Sequence, residues 1–199
     1  MPIISIINQK GGVGKSTLAL QLSAALNKLK EKTLLIDMDP QGHLSLGLGI
    51  EKNNLKKSIF NVLDVRYENG MGLADVTIKV NDYLDLIPSN IELSTLELIL
   101  ANRHGRESRL SNALNPQLTS QYDYIIIDCP PNLGMLTINA LLASEYVIVP
   151  FDTSAFSIDG INYLNSTLQM LSNKINHKVD ICYVLNNYDA RVQKNKNYY

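Results

Sequence analysis

The sequence contains few of the features that mark secreted, membrane-spanning or nucleic-acid-coating proteins. Its 199 residues include two cysteines, Cys129 and Cys182, so neither a disulfide framework nor a cysteine metal site is expected, and a reducing cytoplasm is the default. No stretch approaches the roughly 18 apolar residues of a membrane span, and the opening residues lack the basic region of a signal peptide. The net charge of −1 gives no global basic field for nucleic acid. The chain is long enough for one α/β domain with a sizeable core.

The strongest positive signal is the run Asn8–Thr17, which reads NQKGGVGKST. It follows the apolar run 3–7 and precedes a helical pattern, which is the strand–loop–helix context of a phosphate-binding loop. Glycines let backbone N–H groups approach a polyphosphate, and the helix N-terminus adds donors and partial positive charge. We expect Lys15 at the terminal phosphates and the Ser16 hydroxyl on magnesium. The predicted nucleotide-binding residues of this run are Lys10, Gly11, Gly12, Val13, Gly14, Lys15, Ser16 and Thr17.

A second signal follows the apolar run Thr33–Asp37, which predicts a buried strand ending on an acid. An acid at the carboxyl end of a strand lies where α/β folds bind ligands. Pro40 biases Asp39 away from helix, so that this second acid is held in an extended turn. An ordinary Asp-Pro turn would explain Asp39 and Pro40 by themselves. It explains poorly why a second acid, Asp37, stands two residues earlier and why the motif follows the second predicted strand.

A third signal is the apolar run Tyr124–Asp128, which again ends on an acid and is followed by Pro130 and Pro131. This is the Walker B arrangement, in which Asp128 would hold a magnesium-bound water. Cys129 is adjacent, but the cysteine arrangement of an iron–sulfur protein is missing. A buried structural thiol is therefore the favoured interpretation of Cys129.

Together these motifs resemble a known family. The general phosphate-loop pattern wants a glycine where this chain has Gln9, and a second lysine, Lys10, opens the loop. This deviant form, KGGVGK[ST], together with D-x-D-P-Q-G at 37–42 and D-x-P-P at 128–131, resembles the ParA/Soj-type partitioning ATPases. These belong to a P-loop superfamily that includes MinD and the nitrogenase iron protein.

The resemblance implies an α/β fold of the three-layer P-loop NTPase type, with a mostly parallel twisted sheet and helices on both faces. It covers essentially the whole of a predicted ATPase domain at 1–191, followed by a polar tail at 192–199. Many ParA-like proteins continue for a further strand and one or two helices, which complete the sheet and carry DNA-contacting basic residues. Because the C-terminal region of this sequence is short, the resemblance supports nucleotide binding more strongly than it supports DNA binding.

Residue roles also follow from the resemblance. Lys10 would reach across a dimer to the partner's nucleotide, and Asp39 would orient the attacking water, with Asp37 supporting the magnesium shell or its loop. Asn186 or Asn187, after the last predicted strand, would face the adenine base, and Asn187 is included as the candidate. The implied catalytic residues are Lys10, Lys15 and Asp39, and the implied magnesium-site residues are Ser16, Asp39 and Asp128.

The function implied by the resemblance is an ATP- and Mg²⁺-dependent dimerisation switch that hydrolyses ATP to partition plasmid or chromosome DNA. Its expected partners are a second copy of itself, a ParB-like centromere-binding protein and non-specific DNA, with a cytoplasmic or nucleoid location and no membrane. A MinD-like membrane ATPase is disfavoured because the tail has no apolar face. A tyrosine-kinase-type relative has thin support from Tyr198 and Tyr199. An adaptor that binds ATP but hardly hydrolyses it stays open, although Lys10 and Asp39 argue against it.

Overall fold

A seven-stranded sheet, with strand order β3-β4-β2-β5-β1-β6-β7, forms the centre of the molecule in a computed structural model. The structure describes residues 1–51, 55–64, 66, 71–153, 157–188 and 191. All neighbouring strands are parallel except the edge pair β3 and β4. The strands are β1 (Ile3–Ile6), β2 (Thr33–Asp37), β3 (Ile78–Asn81), β4 (Leu84–Ile87), β5 (Tyr124–Asp128), β6 (Tyr146–Phe151) and β7 (Asp180–Leu185).

Helices connect the strands. The α-helices are α1 (Lys15–Lys28), α2 (His43–Gly47), α3 (Ile59–Leu63), α4 (Leu96–Leu100), α5 (Arg109–Ala113), α6 (Pro116–Thr119), α7 (Met135–Ala143) and α8 (Ser157–Ile175). Short 3₁₀ turns cover Leu73–Asp75, Ile91–Thr95 and Arg106–Ser108. Among the described residues, no helix is both long enough and apolar enough to span a membrane.

The central strands are apolar throughout because both faces of the sheet are covered. Alternate residues of one strand enter two different cores: Ile125 and Ile127 pack with α3, α4, α5, α7 and α8, whereas Ile126 packs with α1 and α2. Both cores contain side chains that are fully buried. This arrangement confirms the predicted three-layer α/β fold.

The strands predicted at the three motifs agree closely with the structure. Residues 91–100 form a 3₁₀ turn, Ile91–Thr95, followed by the short helix α4. The basic segment that begins at Arg103 contains a second 3₁₀ turn and leads into α5. The predicted tail at 192–199 lies outside the described residues.

The parallel strands bring the three sequence motifs to one edge of the sheet. Ile6 and Asp37 are both in register with Asp128, because β5 lies between β1 and β2. The phosphate-loop run that follows β1 therefore begins beside the acids that end β2 and β5. This edge, at the carboxyl ends of the strands, is where parallel α/β sheets bind ligands.

Candidate nucleotide-binding site

The loop between β1 and α1 leads into a helix N-terminus whose backbone N–H groups are not capped by a side chain. Gly14 is the N-cap of α1 with φ +91°, and Gly12 has φ +76°, both in the left-handed region that glycine adopts without strain. Helix α1 has no side-chain cap hydrogen bond and no acidic residue in its first turn. The first N–H groups of a helix lack partners inside the helix, so this N-terminus suits an anion.

Lys15, the first residue of α1, lies folded into this loop. Its side chain is buried, with 7% exposure, and its Nζ donates to the Lys10 carbonyl at 3.2 Å. Burial lowers the pKa of Lys15, while the charges of Asp128 and Asp39 oppose that shift. The ammonium therefore lies within the electrostatic reach of both acids, where a phosphate would gain from it.

Asp128 is buried, and neither of its carboxylate oxygens has a hydrogen-bond partner among the residues that the structure describes, although the Ser16 hydroxyl lies near enough to lower its pKa. Burial outweighs that effect and raises the pKa of Asp128 to about 7, with the charge of Asp37 adding to the rise. Two orphaned carboxylate oxygens beside a hydroxyl fit the hard oxygen ligation that magnesium prefers.

Asp37 is equally buried but fully engaged. Its Oδ2 accepts the backbone N–H and the hydroxyl of Ser45, at 3.0 and 2.9 Å, and its Oδ1 accepts the Asp39 N–H at 3.2 Å. Burial raises the pKa of Asp37 to about 6 despite these bonds, which lower it. Asp37 thus anchors the segment that joins β2 to α2, in agreement with the expected supporting role for its loop.

Asp39 lies on that anchored segment and is 7% exposed. Its Oδ1 accepts the Gln41 N–H at 2.9 Å, and its carbonyl accepts the Gly42 N–H at 2.8 Å, so the turn after Pro40 is closed by hydrogen bonds. The structure therefore holds this carboxylate in a defined turn, as expected from the Asp-Pro sequence.

Lys15, Ser16 and Asp39 line one open cleft of about 390 Å³. No three His, Cys, Asp or Glu side chains gather as metal ligands in the part of the chain that the structure describes, so a cation here would depend on hydroxyl and phosphate oxygens as well. The cleft is lined by Gly11, Gly12, Gly14, Lys15, Ser16, Thr17, Asp39, Gln41, His43 and Pro131. Gln41, His43 and Pro131 were not predicted as site residues, although all three stand within or beside the D-x-D-P-Q-G and D-x-P-P motifs.

Four predicted site residues, Asp128 among them, lie outside the lining of the cleft. Lys10 opens the loop and pairs with Asp152, its Nζ donating to the two carboxylate oxygens at 2.8 and 2.6 Å. Val13 is buried. Asn187, the adenine candidate, is exposed with φ +54°, whereas its neighbour Asn186 donates from Nδ2 to the Val13 carbonyl at 2.9 Å.

The fold, the phosphate loop and the two strand-end acids define a P-loop nucleotide-binding protein. A family model described as an AAA domain matches residues 1–181. The chromosome partitioning protein ParA of Myxococcus xanthus is 41% identical over 175 residues, which are 87% of this chain and 60% of that protein. The sporulation initiation inhibitor protein Soj of Bacillus subtilis is 41% identical over 174 residues, 87% of this chain and 67% of Soj. The chain belongs to the ParA/Soj-type family of P-loop ATPases.

Solved structures agree with this assignment. A putative plasmid partition protein of Borrelia burgdorferi bound to AMPPNP superposes with a TM-score of 0.82 at 30% identity, over 99% of this chain and 78% of that one. Cobyrinic acid a,c-diamide synthase of Mycobacterium smegmatis, with bound ATP analog and magnesium, superposes with a TM-score of 0.90 at 32% identity. The match covers 99% of this chain and 79% of the synthase chain. An uncharacterised protein of Mycobacterium tuberculosis, Rv1708, is 45% identical over 95% of this chain, which spans 59% of its length.

Proposed function

We propose that this protein is an ATP-dependent dimerisation switch that hydrolyses ATP to partition plasmid or chromosome DNA, together with a ParB-like partner. The observation that supports this best is the position of Lys10. A second lysine stands at the entrance of a loop already supplied with Lys15, and it is 41% exposed rather than turned into its own cleft. A cation placed in this way, which pairs with Asp152 in the single chain, would exchange that partner for a nucleotide held by a second copy of the chain.

The pairing of Lys10 with Asp152 fits such a switch. Both side chains are partly exposed, and ion pairs of this kind contribute only about 0–1 kcal/mol because water screens them. The triphosphate of a second subunit carries several negative charges and would compete successfully for Lys10. Dimerisation would then depend on the γ-phosphate, since without it two lysines face each other across the interface.

Binding and hydrolysis are assigned to the cleft. The N–H groups of Gly11–Thr17 and the ammonium of Lys15 would bind the phosphates, and Asp39 would orient the attacking water from its closed turn. Ser16 and Asp128 would hold magnesium, which supplies charge neutralisation for the phosphates when bound. The predicted contribution of Asp39 to the magnesium site and of Asn187 to adenine recognition stays part of this proposal.

The DNA and partner half of the proposal is supported by the names of the relatives, ParA and Soj, and by the plasmid partition structure. A cytoplasmic location, associated with the nucleoid where DNA is bound, belongs to the same proposal. An adaptor that binds ATP with negligible hydrolysis is the remaining alternative. A phosphate-release assay with magnesium and ATP separates the two, because the adaptor would release no phosphate above the level of an Asp39→Ala variant.

Sedimentation velocity in ATP, in ADP and without nucleotide tests the switch. We expect a dimer in ATP alone, loss of that dimer in Lys10→Ala, and a persistent dimer in Asp39→Ala, which binds ATP but cannot hydrolyse it. Lys57→Ala is the matched control, because it removes an exposed lysine that does not line the cleft. A wild-type protein that stays monomeric in ATP, or a Lys10→Ala variant that dimerises normally, would contradict the proposal.

A further inference from the structure

Two asparagines hold the phosphate loop from outside the cleft. At its start, Asn8 accepts the Lys10 N–H at 2.9 Å through Oδ1 and donates from Nδ2 to the Pro150 carbonyl at 2.7 Å. At its end, Asn186 donates from Nδ2 to the Val13 carbonyl at 2.9 Å. The Asn186 backbone N–H is itself fixed by the carbonyl of residue 151, at 2.7 Å. Through these two asparagines, both ends of the loop are connected to the carboxyl end of β6 in the same chain.

We propose that Asn186 is a positioning residue that aims a phosphate-loop N–H into the cleft, an inference that rests on the proposed nucleotide binding. The peptide between Val13 and Gly14 is planar and trans, so its C=O and N–H point in opposite directions. By holding the Val13 carbonyl outward, the Asn186 amide turns the Gly14 N–H away from β7. Gly14 lines the cleft, which makes its N–H a donor for phosphate oxygens.

The glycine at position 14 gives independent support. A Cβ built on Gly14 would lie 2.3 Å from the Asn186 Nδ2, far inside van der Waals contact, and the residue has φ +91°. Asn186 thus occupies the space that the missing side chain leaves open. A side chain at position 14 would therefore collide with the amide that holds the Val13 carbonyl.

This role differs from adenine recognition. A residue that contacts the base adds affinity for ATP but none for an inorganic polyphosphate. A residue that orients a phosphate donor adds affinity equally for both, because the bond that it improves is made to phosphate. Asn186 is committed to Val13 in the structure, whereas Asn187 beside it is exposed and stays the predicted base contact.

The test compares magnesium–tripolyphosphate with magnesium–ATP, titrated separately into each variant by calorimetry. Losing one oriented donor should weaken binding on the order of tenfold. We expect Asn186→Ala to lose that factor for both ligands alike, and Asn186→Asp to lose at least as much, because a carboxylate would repel both the Val13 carbonyl and the phosphates. Asn187→Ala should weaken ATP alone. Asn112→Ala, an exposed asparagine on α5 that does not line the cleft, is the control.

Equal tripolyphosphate affinity in wild type and Asn186→Ala would overturn the inference, and it would assign Asn186 to the base instead if ATP binding fell. If Asn186→Ala lacks a cooperative thermal transition, the near-isosteric Asn186→Asp decides, and wild-type affinity for tripolyphosphate in that variant would likewise overturn the inference. Failure of the proposed nucleotide binding, on which this inference rests, looks different, since the wild-type protein would then bind neither ATP nor tripolyphosphate.

Discussion

The ends of β2 and β5 each carry a buried aspartate, yet the two carboxylates differ in their hydrogen bonds. Asp37 and Asp128 are in register on neighbouring strands, and both are fully buried. Asp37 accepts three hydrogen bonds from Ser45 and Asp39, whereas within the described part of the chain neither oxygen of Asp128 has a hydrogen-bond partner. Burial raises the pKa of both, to about 6 for Asp37 and about 7 for Asp128.

The difference indicates which acid supports the fold and which is reserved for a ligand. A buried polar group without partners costs stability, so its retention points to something that binds it. The hydrogen bonds of Asp37 stabilise the loop that carries Asp39. Asp128 is left for a cation, beside the Ser16 hydroxyl and at the edge of the phosphate loop.

The largest expected effect is the pH dependence of the metal-free protein. The pKa of each acid is higher in the folded state than in the unfolded state. At a pH between these two pKa values, the folded state therefore binds more protons than the unfolded state. Their stabilising protonation is complete at acidic pH and is lost as pH rises through about 6 and about 7. Urea unfolding in EDTA should give a free energy of unfolding that is lower by a few kcal/mol at about pH 8 than at about pH 5.5.

Asp64 does not confuse this window, because its pKa is lowered and it is therefore ionised in both states throughout. Stability that is constant or rises across the same range would show that the two acids are not the strained groups that the structure describes.

Identical substitutions at the two acids should then act with opposite sign. At about pH 8, Asp37→Asn removes a buried charge but sets an amide N–H group against the Ser45 or Asp39 donors. Because the lost and opposed hydrogen bonds outweigh the removed charge, the substitution should destabilise the protein by about 2 kcal/mol. Chemical denaturation of the metal-free protein measures the change. A neutral or stabilising result would mean that the three hydrogen bonds of Asp37 are not maintained in solution.

Asp128→Asn removes a buried charge without breaking a hydrogen bond of normal geometry, and it should stabilise the metal-free protein by about 1–2 kcal/mol at about pH 8. The same denaturation measured at about pH 5.5 is the internal control, because the wild-type carboxyl is then protonated and the gain should shrink. A gain that is equal at both values of pH would indicate a cause other than charge.

A smaller effect isolates one bond of Asp37. Ser45→Ala removes the buried hydroxyl donor but keeps the backbone N–H donor, and it should cost about 1 kcal/mol. Ser166→Ala, which removes an exposed hydroxyl on α8, is the matched control and should change stability by less than about 0.5 kcal/mol. Equal effects of the two substitutions would argue against the anchoring of Asp37.

Most of the sheet and the composition of the cleft were predictable from sequence. Strands covered on both faces appear as unbroken apolar runs such as Tyr124–Asp128, and parallel strands bring their carboxyl ends together. The short helices were harder, because five residues or fewer do not establish a helical period. For α6 a signal did exist: Asn115 caps the helix through the Leu118 N–H, and Pro116 follows at its first position.

Contacts between distant parts of the chain were beyond sequence reasoning. Asn186 and Val13 are 173 residues apart, and Lys10 and Asp152 are 142 residues apart, so no local pattern joins them. Local polar contacts were also not predictable in detail. Asn90 stands at the N-cap position of the 3₁₀ turn, but its side-chain amide donates to the Glu92 carboxylate rather than capping the turn.

The most direct test of the contrast between the two acids is calorimetric titration of ATP with magnesium and with EDTA, in wild type and in Asp128→Asn. The wild-type protein should bind ATP at least tenfold more tightly with magnesium, since a buried pair of unsatisfied oxygens then gains a cation. Asp128→Asn should lose most of that magnesium dependence while binding metal-free ATP no worse than the wild type. A variant that keeps the full magnesium dependence would contradict the assignment of Asp128 to the cation.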